Sequence, residues 1–248
     1  MNKPLIEIKN LKKSFEALTV LDGVSINVFE GENFIVFGQS GTGKSVLLKC
    51  IVGLLQPDSG DILVKGESII NLSSKKLNEF RKSLGFLFQG AALYDSMSVR
   101  ENLEFPLKRN FKFTQEEIDK KVMTTLEMVG LEESIDKMPS ELSGGMRKRI
   151  GLARSIITEP KIMLYDEPTT GLDPITSKEI SVLILELQKK LNMTSIVVTH
   201  DLLCAEIIAD KAIVLHNGNV KMEGTIDELT SSDDKLLRNF FSSEIIEN

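Results

Sequence analysis

The stretch Gly38-Gln39-Ser40-Gly41-Thr42-Gly43-Lys44-Ser45 holds residue types suited to binding phosphate. Glycines let the backbone turn so that several N–H groups point at one phosphate, and a helix that begins there adds its positive end. A lysine at this spacing reaches the β- and γ-phosphates, and a serine hydroxyl takes one ligand position on Mg²⁺. The stretch therefore predicts a phosphate-binding loop, with Lys44 on the phosphates and Ser45 on the metal.

The residues on both sides of this loop have the patterns that the motif requires. Phe34 to Phe37 form a continuous apolar run that stops at Gly38, which predicts a strand buried on both faces. Apolar residues then recur at helical spacing from Lys44 to Leu55. The loop pattern alone would arise by chance in roughly one chain in a hundred of this length. The order of strand, loop and helix makes coincidence a poor explanation.

A second apolar run, Ile162 to Tyr165, ends in two adjacent carboxylates, Asp166 and Glu167. Ligands of open parallel sheets sit at the carboxyl ends of the strands, so both side chains are placed for chemistry on a bound phosphate. We expect Asp166 to hold the Mg²⁺ shell and Glu167 to polarise a water that attacks the γ-phosphate. Strands also end in plain acidic turns, so this pair alone leaves that second interpretation open.

His200 follows a third buried run, Ser195 to Thr199, in the same way. If these runs are neighbouring parallel strands, His200 lies at the same edge of the sheet as the two carboxylates and can contact the γ-phosphate. The other histidine, His216, falls beside a predicted hairpin and is interpreted as a surface or packing residue.

The elements that position these residues form an α/β pattern. Alternating residues from Ile6 to Phe15 and from Val24 to Phe29 predict antiparallel strands, with turns at Asp22-Gly23 and Glu30-Gly31. A capping box at Thr114 and Glu117 opens a helix in the middle of the chain, and the segments 175–191 and 212–222 predict a helix and a closing hairpin. We expect one domain over 1–248, with an α/β core at 1–89 and 159–232, a helical lobe at 90–158, and a polar, weakly helical tail at 233–248.

Composition excludes several classes of protein. The formal net charge of −6 argues against a nucleic-acid binder, and the basic run Arg147-Lys148-Arg149 with Arg154 is interpreted as a solvated helix face. Cys50 and Cys204 fall in apolar helical patterns, which predicts two unpaired core thiols. No apolar run approaches the roughly 18 residues of a membrane span and no signal-peptide core follows Met1, so we expect a cytoplasmic protein.

Between the two sites lies Leu142-Ser143-Gly144-Gly145-Met146, just before a predicted helix. This stretch and the order of the other motifs resemble the ABC ATPase family over nearly the whole chain, from Phe15 to about Leu229. The resemblance implies a P-loop NTPase core of α/β class, with an antiparallel β edge and a helical signature lobe. It also implies that Ser143, Gly144 and Gly145 bind the γ-phosphate of an ATP held by the opposite subunit, so that a complete site needs a homodimer.

The resemblance implies further roles for single residues. Phe15 would stack on adenine, and Gln89 would be the lobe-switch glutamine that senses the γ-phosphate and its Mg²⁺. Asp173 would belong to the D-loop, and His200 would be the switch histidine. Two residues depart from the common family pattern, Met146 where many relatives have Gln and Phe15 where Tyr is frequent. Neither change removes a phosphate ligand, and a phenyl ring keeps the face needed for stacking, so an active ATPase is expected.

A narrower resemblance rests on the stretches Phe88 to Ser96 and Leu142 to Arg149, which are similar to ATPases of Mla/Mce-type lipid transporters. That resemblance implies a subunit on the inner face of the cell membrane that powers a permease dimer, with an Mce-domain protein and a small STAS-domain protein as further partners. Three alternatives stay open: a transporter ATPase for another substrate, a soluble ABC ATPase of the iron–sulfur cluster assembly type, and a regulatory clamp that binds ATP without hydrolysis. The presence of Glu167 argues against the clamp.

Overall fold

The computed structural model describes residues 3–246, so the first two residues of the predicted core and the last two of the predicted tail lie outside the described residues. The strands are β1 Ile6–Phe15, β2 Leu18–Val28, β3 Asn33–Phe37, β4 Ser59–Val64, β5 Glu67–Ser68, β6 Leu84–Leu87, β7 Ile162–Asp166, β8 Thr194–Thr199, β9 Lys211–His216 and β10 Asn219–Gly224. The α-helices are α1 Lys44–Ile51, α2 Ser74–Lys82, α3 Val99–Asn110, α4 Gln115–Val129, α5 Gly144–Ile156, α6 Pro174–Leu191, α7 Leu202–Ile208, α8 Ile226–Thr230 and α9 Lys235–Ile246.

The central sheet has the order β10-β9-β3-β8-β7-β6, and all its pairs are parallel except that of β9 with β10. Every residue of β3, β7 and β8 is buried, because helices cover both faces of the sheet. This burial explains why these strands read as continuous apolar runs. Their carboxyl ends meet at one edge of the sheet, where the chain continues into Gly38, Glu167 and His200.

A second, antiparallel sheet has the order β2-β1-β4-β5 and forms the β edge of the molecule. The predicted turn at Asp22-Gly23 is wrong, because both residues lie inside β2 and the connection to β1 comes earlier, between Phe15 and Leu18. The register passes from Leu11 opposite Val24 to Lys12 opposite Asp22, which leaves Gly23 as the extra residue of a bulge. Its φ of 90° suits glycine, so the Asp-Gly signal marks a bulge and not a turn.

The segment between β6 and β7 contains α3, α4 and α5 and packs on the central sheet. Capping boxes at Ser98 with Glu101 and at Thr114 with Glu117 begin α3 and α4. The architecture confirms the predicted fold class of an α/β core with an antiparallel edge and a helical lobe. No helix within residues 3–246 is long and apolar enough to cross a membrane.

The basic run on α5 is not the solvated face that its sequence suggests. Arg147 is exposed, but the side chain of Lys148 is buried, and Arg149 is half-buried with an ion pair to Glu179. Lys148 lies three to four residues before Gly151 and Leu152, which are buried, so helical periodicity places it on the inner face of α5. A buried lysine within a run of basic residues is recognised only when the helical spacing of the buried positions is extended through that run.

Cys50 and Cys204 are free and buried, as predicted. Burial raises the pKa of Cys50 to about 11 and that of Cys204 to about 12. Both thiols therefore stay protonated and behave as small apolar core residues.

The tail, predicted to be polar and weakly helical, contains a helix that contributes apolar side chains to the core. Its residues from Lys235 form α9, which packs onto the core and buries Leu237, Phe240 and Phe241. The rings of Phe240 and Phe241 meet the ring of Phe37 edge-on, with centroid distances of 6.0 Å and 5.4 Å. Phe37 is the last residue of β3, so α9 supports the strand that leads directly into Gly38 and the phosphate loop.

We expect Phe241→Ala to lower the free energy of unfolding by about 3 kcal/mol, because it removes a buried ring and leaves a cavity against Phe37. Urea denaturation of the purified protein measures this change. Asn239→Ala is the matched control, since Asn239 is an exposed residue of the same helix. If Phe241→Ala unfolds at the same urea concentration as Asn239→Ala, α9 does not contribute to the stability of the core.

Candidate functional site

The residues Gly38 to Gly43 form a tight loop between β3 and α1, and Lys44 and Ser45 are the first two residues of α1. Gly41 and Gly43 have φ values of 83° and 100°, which non-glycine residues rarely adopt. A Cβ on Gly43 would also lie 2.8 Å from the carbonyl oxygen of Val20, so no side chain fits there. The loop is therefore shaped by glycine, as its sequence predicts, and α1 begins at Lys44 with its N-terminal end directed into it.

Lys44 reaches back across this loop. Its Nζ donates to the carbonyl oxygen of Gly38 at 2.5 Å and to that of Gln39 at 3.2 Å. The same ammonium lies 3.2 Å from Oε1 of Glu167, and both side chains are largely buried. The structure thus brings together the predicted phosphate ligand and the predicted general base, which come from widely separated parts of the sequence. A phosphate bound by Lys44 comes within reach of a water held by Glu167.

Ser45 and Asp166 form a neighbouring pair, in which the Ser45 hydroxyl donates to Oδ1 of Asp166 at 2.8 Å. Burial raises the pKa of Asp166; the hydrogen bond from Ser45 opposes this effect and the charge of Glu167 adds to it. Mg²⁺ prefers oxygen ligands, and a cation here would offset the repulsion between two adjacent carboxylates. The donor set of Ser45 and Asp166 therefore fits the predicted metal.

The carboxylate of Glu167 is held by several donors. Oε2 lies 2.8 Å from Nδ1 of His200 and accepts a hydrogen bond from Oγ1 of Thr170 at 3.2 Å. Its backbone is in the left-handed region, with φ of 50°, and its N–H donates to the carbonyl oxygen of Val198 at 2.9 Å. Such a conformation costs free energy in a non-glycine residue, which is typical of residues whose side chain is directed to a functional site.

The charges around Glu167 decide its protonation. Burial acts to raise the pKa of Glu167, but the hydrogen bond with His200 and the charge of Lys44 outweigh it and hold the pKa below the usual value. The carboxylate is therefore ionised at neutral pH and can accept a hydrogen bond from a water molecule.

The signature residues lie elsewhere. Ser143 is the N-cap of α5 and accepts a hydrogen bond from the N–H of Met146 at 3.3 Å. A Cβ on Gly145 would lie 2.7 Å from Cγ2 of Thr176, so the signature packs closely on α6, where Asp173 is the N-cap. Within residues 3–246, no hydrogen bond or ion pair joins Ser143, Gly144 or Gly145 to the phosphate loop. Among the described residues, the two halves of the predicted site are thus not connected by direct polar contacts.

Phe15 and Gln89 complete the predicted set. The Phe15 side chain is 43% exposed at the end of β1, where its ring can receive a planar base, and Nζ of Lys13 lies 5.4 Å from the ring centroid. Gln89 follows β6 with an exposed side chain, and its backbone carbonyl accepts a hydrogen bond from Lys148. Asp173, also exposed, uses its carboxylate to accept hydrogen bonds from Thr176, and these bonds lower its pKa.

A comparison with protein-family models matches residues 21–170 to the ABC transporter family. This match spans more than half of the chain and includes the phosphate loop, the signature and both carboxylates. The chain belongs to the ABC transporter family. Its resemblance to ABC ATPases, inferred from the motifs, is thereby confirmed.

Curated proteins of similar sequence carry different transport names. The intermembrane phospholipid transport system ATP-binding protein MlaF of Haemophilus influenzae is 41% identical over 98% of this chain and 92% of its own length. The probable ribonucleotide transport ATP-binding protein mkl of Mycobacterium leprae is 41% identical, over 97% of this chain and 70% of its own length. The methionine import ATP-binding protein MetN of Carboxydothermus hydrogenoformans is also 41% identical, over 91% of this chain and 67% of its own length.

Among solved structures, the dimeric cassette MJ0796 in a post-hydrolysis state bound to ADP and Pi has a TM-score of 0.82 and 31% identity to this ABC protein. The match covers 89% of this chain and 98% of that chain. The match to the ABC transporter family, and the similarity to a cassette whose structure holds the products of ATP hydrolysis, identify this chain as an ATP-binding and ATP-hydrolysing subunit of an ABC transporter.

Two residues at the site of this ABC ATPase were not predicted from the sequence. Thr170 gave no signal of its own, because a Thr-Thr-Gly turn after the strand has many uses. Lys148 was hidden in a basic run, although the buried positions after it on α5 continue its helical period. Both contact Glu167, Thr170 through the carboxylate and Lys148 through the backbone carbonyl.

Proposed function

We propose that this protein closes as a homodimer around two Mg-ATP and uses their hydrolysis to power a separate membrane permease that moves phospholipid. The observation that carries the dimer is that the similar solved cassette MJ0796 is dimeric, while within residues 3–246 no hydrogen bond or ion pair joins the phosphate loop to the signature. Ser143 is exposed at the start of α5, so its hydroxyl and the adjacent backbone N–H groups are available to a nucleotide held by a second copy.

The described residues support a distribution of chemical roles within each site. The phosphate loop binds the triphosphate, with Lys44 on the β- and γ-phosphates. Glu167 orients the attacking water, and His200, within hydrogen-bonding distance of Glu167, contacts the γ-phosphate. Ser45 and Asp166 would hold Mg²⁺, together with Gln89, and the ion would neutralise charge that develops on the phosphates. Phe15 would stack on adenine, and Asp173 would act at the dimer contact beside the signature.

Closure of the homodimer around ATP would drive the change of shape in the permease. In a closed dimer each nucleotide joins Lys44 of one protomer to the signature of the other, so hydrolysis removes contacts that hold the dimer together. A permease that binds both protomers experiences this opening and closing as a change of shape. The dimer would then bind the permease at the cytoplasmic face of the membrane, as expected for the ATP-binding subunit of an ABC transporter.

The lipid substrate is favoured by MlaF, which is matched over almost its entire length. The stretches Phe88 to Ser96 and Leu142 to Arg149 also favour a lipid substrate, because they resemble those of Mla/Mce-type ATPases. The first stretch includes the surface next to Gln89 on which a permease would act. An Mce-domain protein and a STAS-domain protein would then be further partners. Relatives with equal identity are named for methionine and ribonucleotide, so the ATPase core is common to transporters of several substrates.

Affinity capture from gently solubilised membranes tests this proposal, with mass spectrometry of the proteins and of any lipids that accompany them. We expect a permease, an Mce-domain protein and bound phospholipid. Phe88→Ser, at an exposed ring beside Gln89, should lose the permease, while Leu18→Ser, at an exposed residue of the antiparallel sheet, should retain it. A different permease without lipid would reject the substrate, and soluble assembly proteins alone would reject the transport role in favour of an iron–sulfur assembly ATPase.

A further inference from the structure

Lys148 connects two backbone carbonyls across the core of the site. Its Nζ donates to the carbonyl oxygen of Gln89 at 2.5 Å and to that of Glu167 at 3.2 Å. Gln89 follows β6 and Glu167 follows β7, which are neighbouring strands of the central sheet. A single ammonium group on α5 therefore holds the main chain at both the predicted base and the predicted sensor of the γ-phosphate.

This arrangement is costly. The Lys148 side chain is only about 6% exposed. Burial lowers the pKa of Lys148, although the negative charges of Glu167 and Asp166 act to raise it. An apolar chain of the same length would fill the space without the cost of removing a charge from water. The ammonium is therefore better explained by the carbonyls that it binds than by packing.

We propose that Lys148 is a positioning residue that fixes the main chain of Glu167 and connects the signature helix α5 to the base of the same chain. The inference rests on the proposed function, in which Glu167 activates the water and Ser143 contacts the nucleotide of the second copy. Ser143 caps α5 only five residues before Lys148, about 7.5 Å along the helix axis. A helix is stiff over this length. When Ser143 binds the nucleotide held by the second copy, the position of Lys148 beside Glu167 of its own chain is therefore fixed as well.

The conformation of Glu167 shows why its carbonyl needs a donor. With φ of 50° the residue is strained, and its N–H is already held by Val198. Its carbonyl has one other donor among the described residues, the N–H of Thr170, at the longer distance of 3.4 Å. Loss of Lys148 leaves that side of the peptide weakly held, and the carboxylate then samples positions in which it does not hold the water. A misplacement of about 1 Å at a reacting group can lower a rate by as much as a hundredfold.

The test compares steady-state ATP hydrolysis and equilibrium ATP binding for Lys148→Met and Lys148→Arg, with the purified 248-residue chain. We expect kcat to fall on the order of tenfold in Lys148→Met, with KM and ATP affinity within about twofold of wild type. Lys148→Arg, which keeps the charge and the donors, should recover most of kcat. Lys112→Met is the matched control, since Lys112 is an exposed lysine of the same lobe.

A second measurement separates positioning from general damage. If Lys148 acts through Glu167, adding Lys148→Met to Glu167→Gln should leave the residual rate unchanged within about twofold. A further tenfold loss in the double variant, or an unchanged kcat in Lys148→Met, overturns the inference while leaving wild-type hydrolysis, and with it the proposed function, intact. Should Lys148→Met not fold, Lys148→Gln replaces it with the same expected loss, because its amide is uncharged and its nitrogen lies one bond closer to the backbone than the ammonium of lysine. Failure of the proposed function would show instead in the affinity capture, where no permease would be recovered.

Discussion

Glu167→Gln lowers kcat for ATP hydrolysis by about a hundredfold or more, and ATP still binds with nearly unchanged affinity. The amide keeps the size of the side chain and can remain beside His200 and Thr170, so the site should keep its shape. It has no negative charge with which to polarise a water, and the charge of Lys44 loses its partner, which leaves that lysine free to bind phosphate. Phosphate release measures the first effect, and titration with a fluorescent nucleotide measures the second.

The same variant should accumulate as a closed dimer in the presence of Mg-ATP, because the nucleotides that join the two copies are not consumed. Light scattering coupled to size exclusion detects it, and wild type under the same conditions returns to monomer as ATP is hydrolysed. Glu186→Gln is the control, since Glu186 is an exposed carboxylate on α6. Phosphate release by Glu167→Gln at the wild-type rate is the result that removes Glu167 from the role of general base.

Sequence patterns located the reacting groups because their strands are buried on both faces. Such strands appear as uninterrupted apolar runs, and the residue after each run must lie at the carboxyl edge of the sheet. This reasoning placed Asp166, Glu167 and His200 at one edge, and the structure has them there, with Glu167 2.8 Å from His200. It could not order the strands, since β8 lies between β3 and β7 although it comes last of the three along the chain. Register and order depend on contacts between distant residues, which one sequence does not display.

Features that depend on contact with one particular part of the fold were not predicted from the sequence. Asp22-Gly23 has the composition of a turn, and only the pairing of the flanking residues Asp22 and Val24 with Lys12 and Leu11 decides that the glycine forms a bulge inside a strand. The tail contains two adjacent phenylalanines in a polar context, and only Phe37 shows where they dock. Short strands such as β5 carry too few residues for any period to be detected. Local chemistry was thus more predictable than the contacts that support it.

Lys44→Ala should reduce ATP affinity itself, by about tenfold or more, and hydrolysis should fall with it. The ammonium is the one side-chain charge that the motif directs at the β- and γ-phosphates, and charge-assisted contacts of this kind are roughly twice as strong as neutral hydrogen bonds. Lys44 also lies 3.2 Å from Glu167, so its removal leaves that carboxylate without its nearest lysine and adds repulsion against an incoming phosphate. Equilibrium nucleotide titration, together with phosphate release, measures both losses.

The two substitutions are expected to differ in which step they remove, and this difference is the strongest test of the site. Glu167→Gln keeps binding and stops turnover, whereas Lys44→Ala weakens binding and therefore also prevents the dimer from closing. Lys75→Ala, at an exposed lysine on α2, controls for the loss of one positive charge from the chain. Because Gly38 and Gln39 accept hydrogen bonds from Lys44, thermal unfolding must show that the loop variant is still folded. A folded Lys44→Ala protein with wild-type affinity for ATP would mean that the backbone amides of the loop and the start of α1 bind the phosphates without help from this lysine.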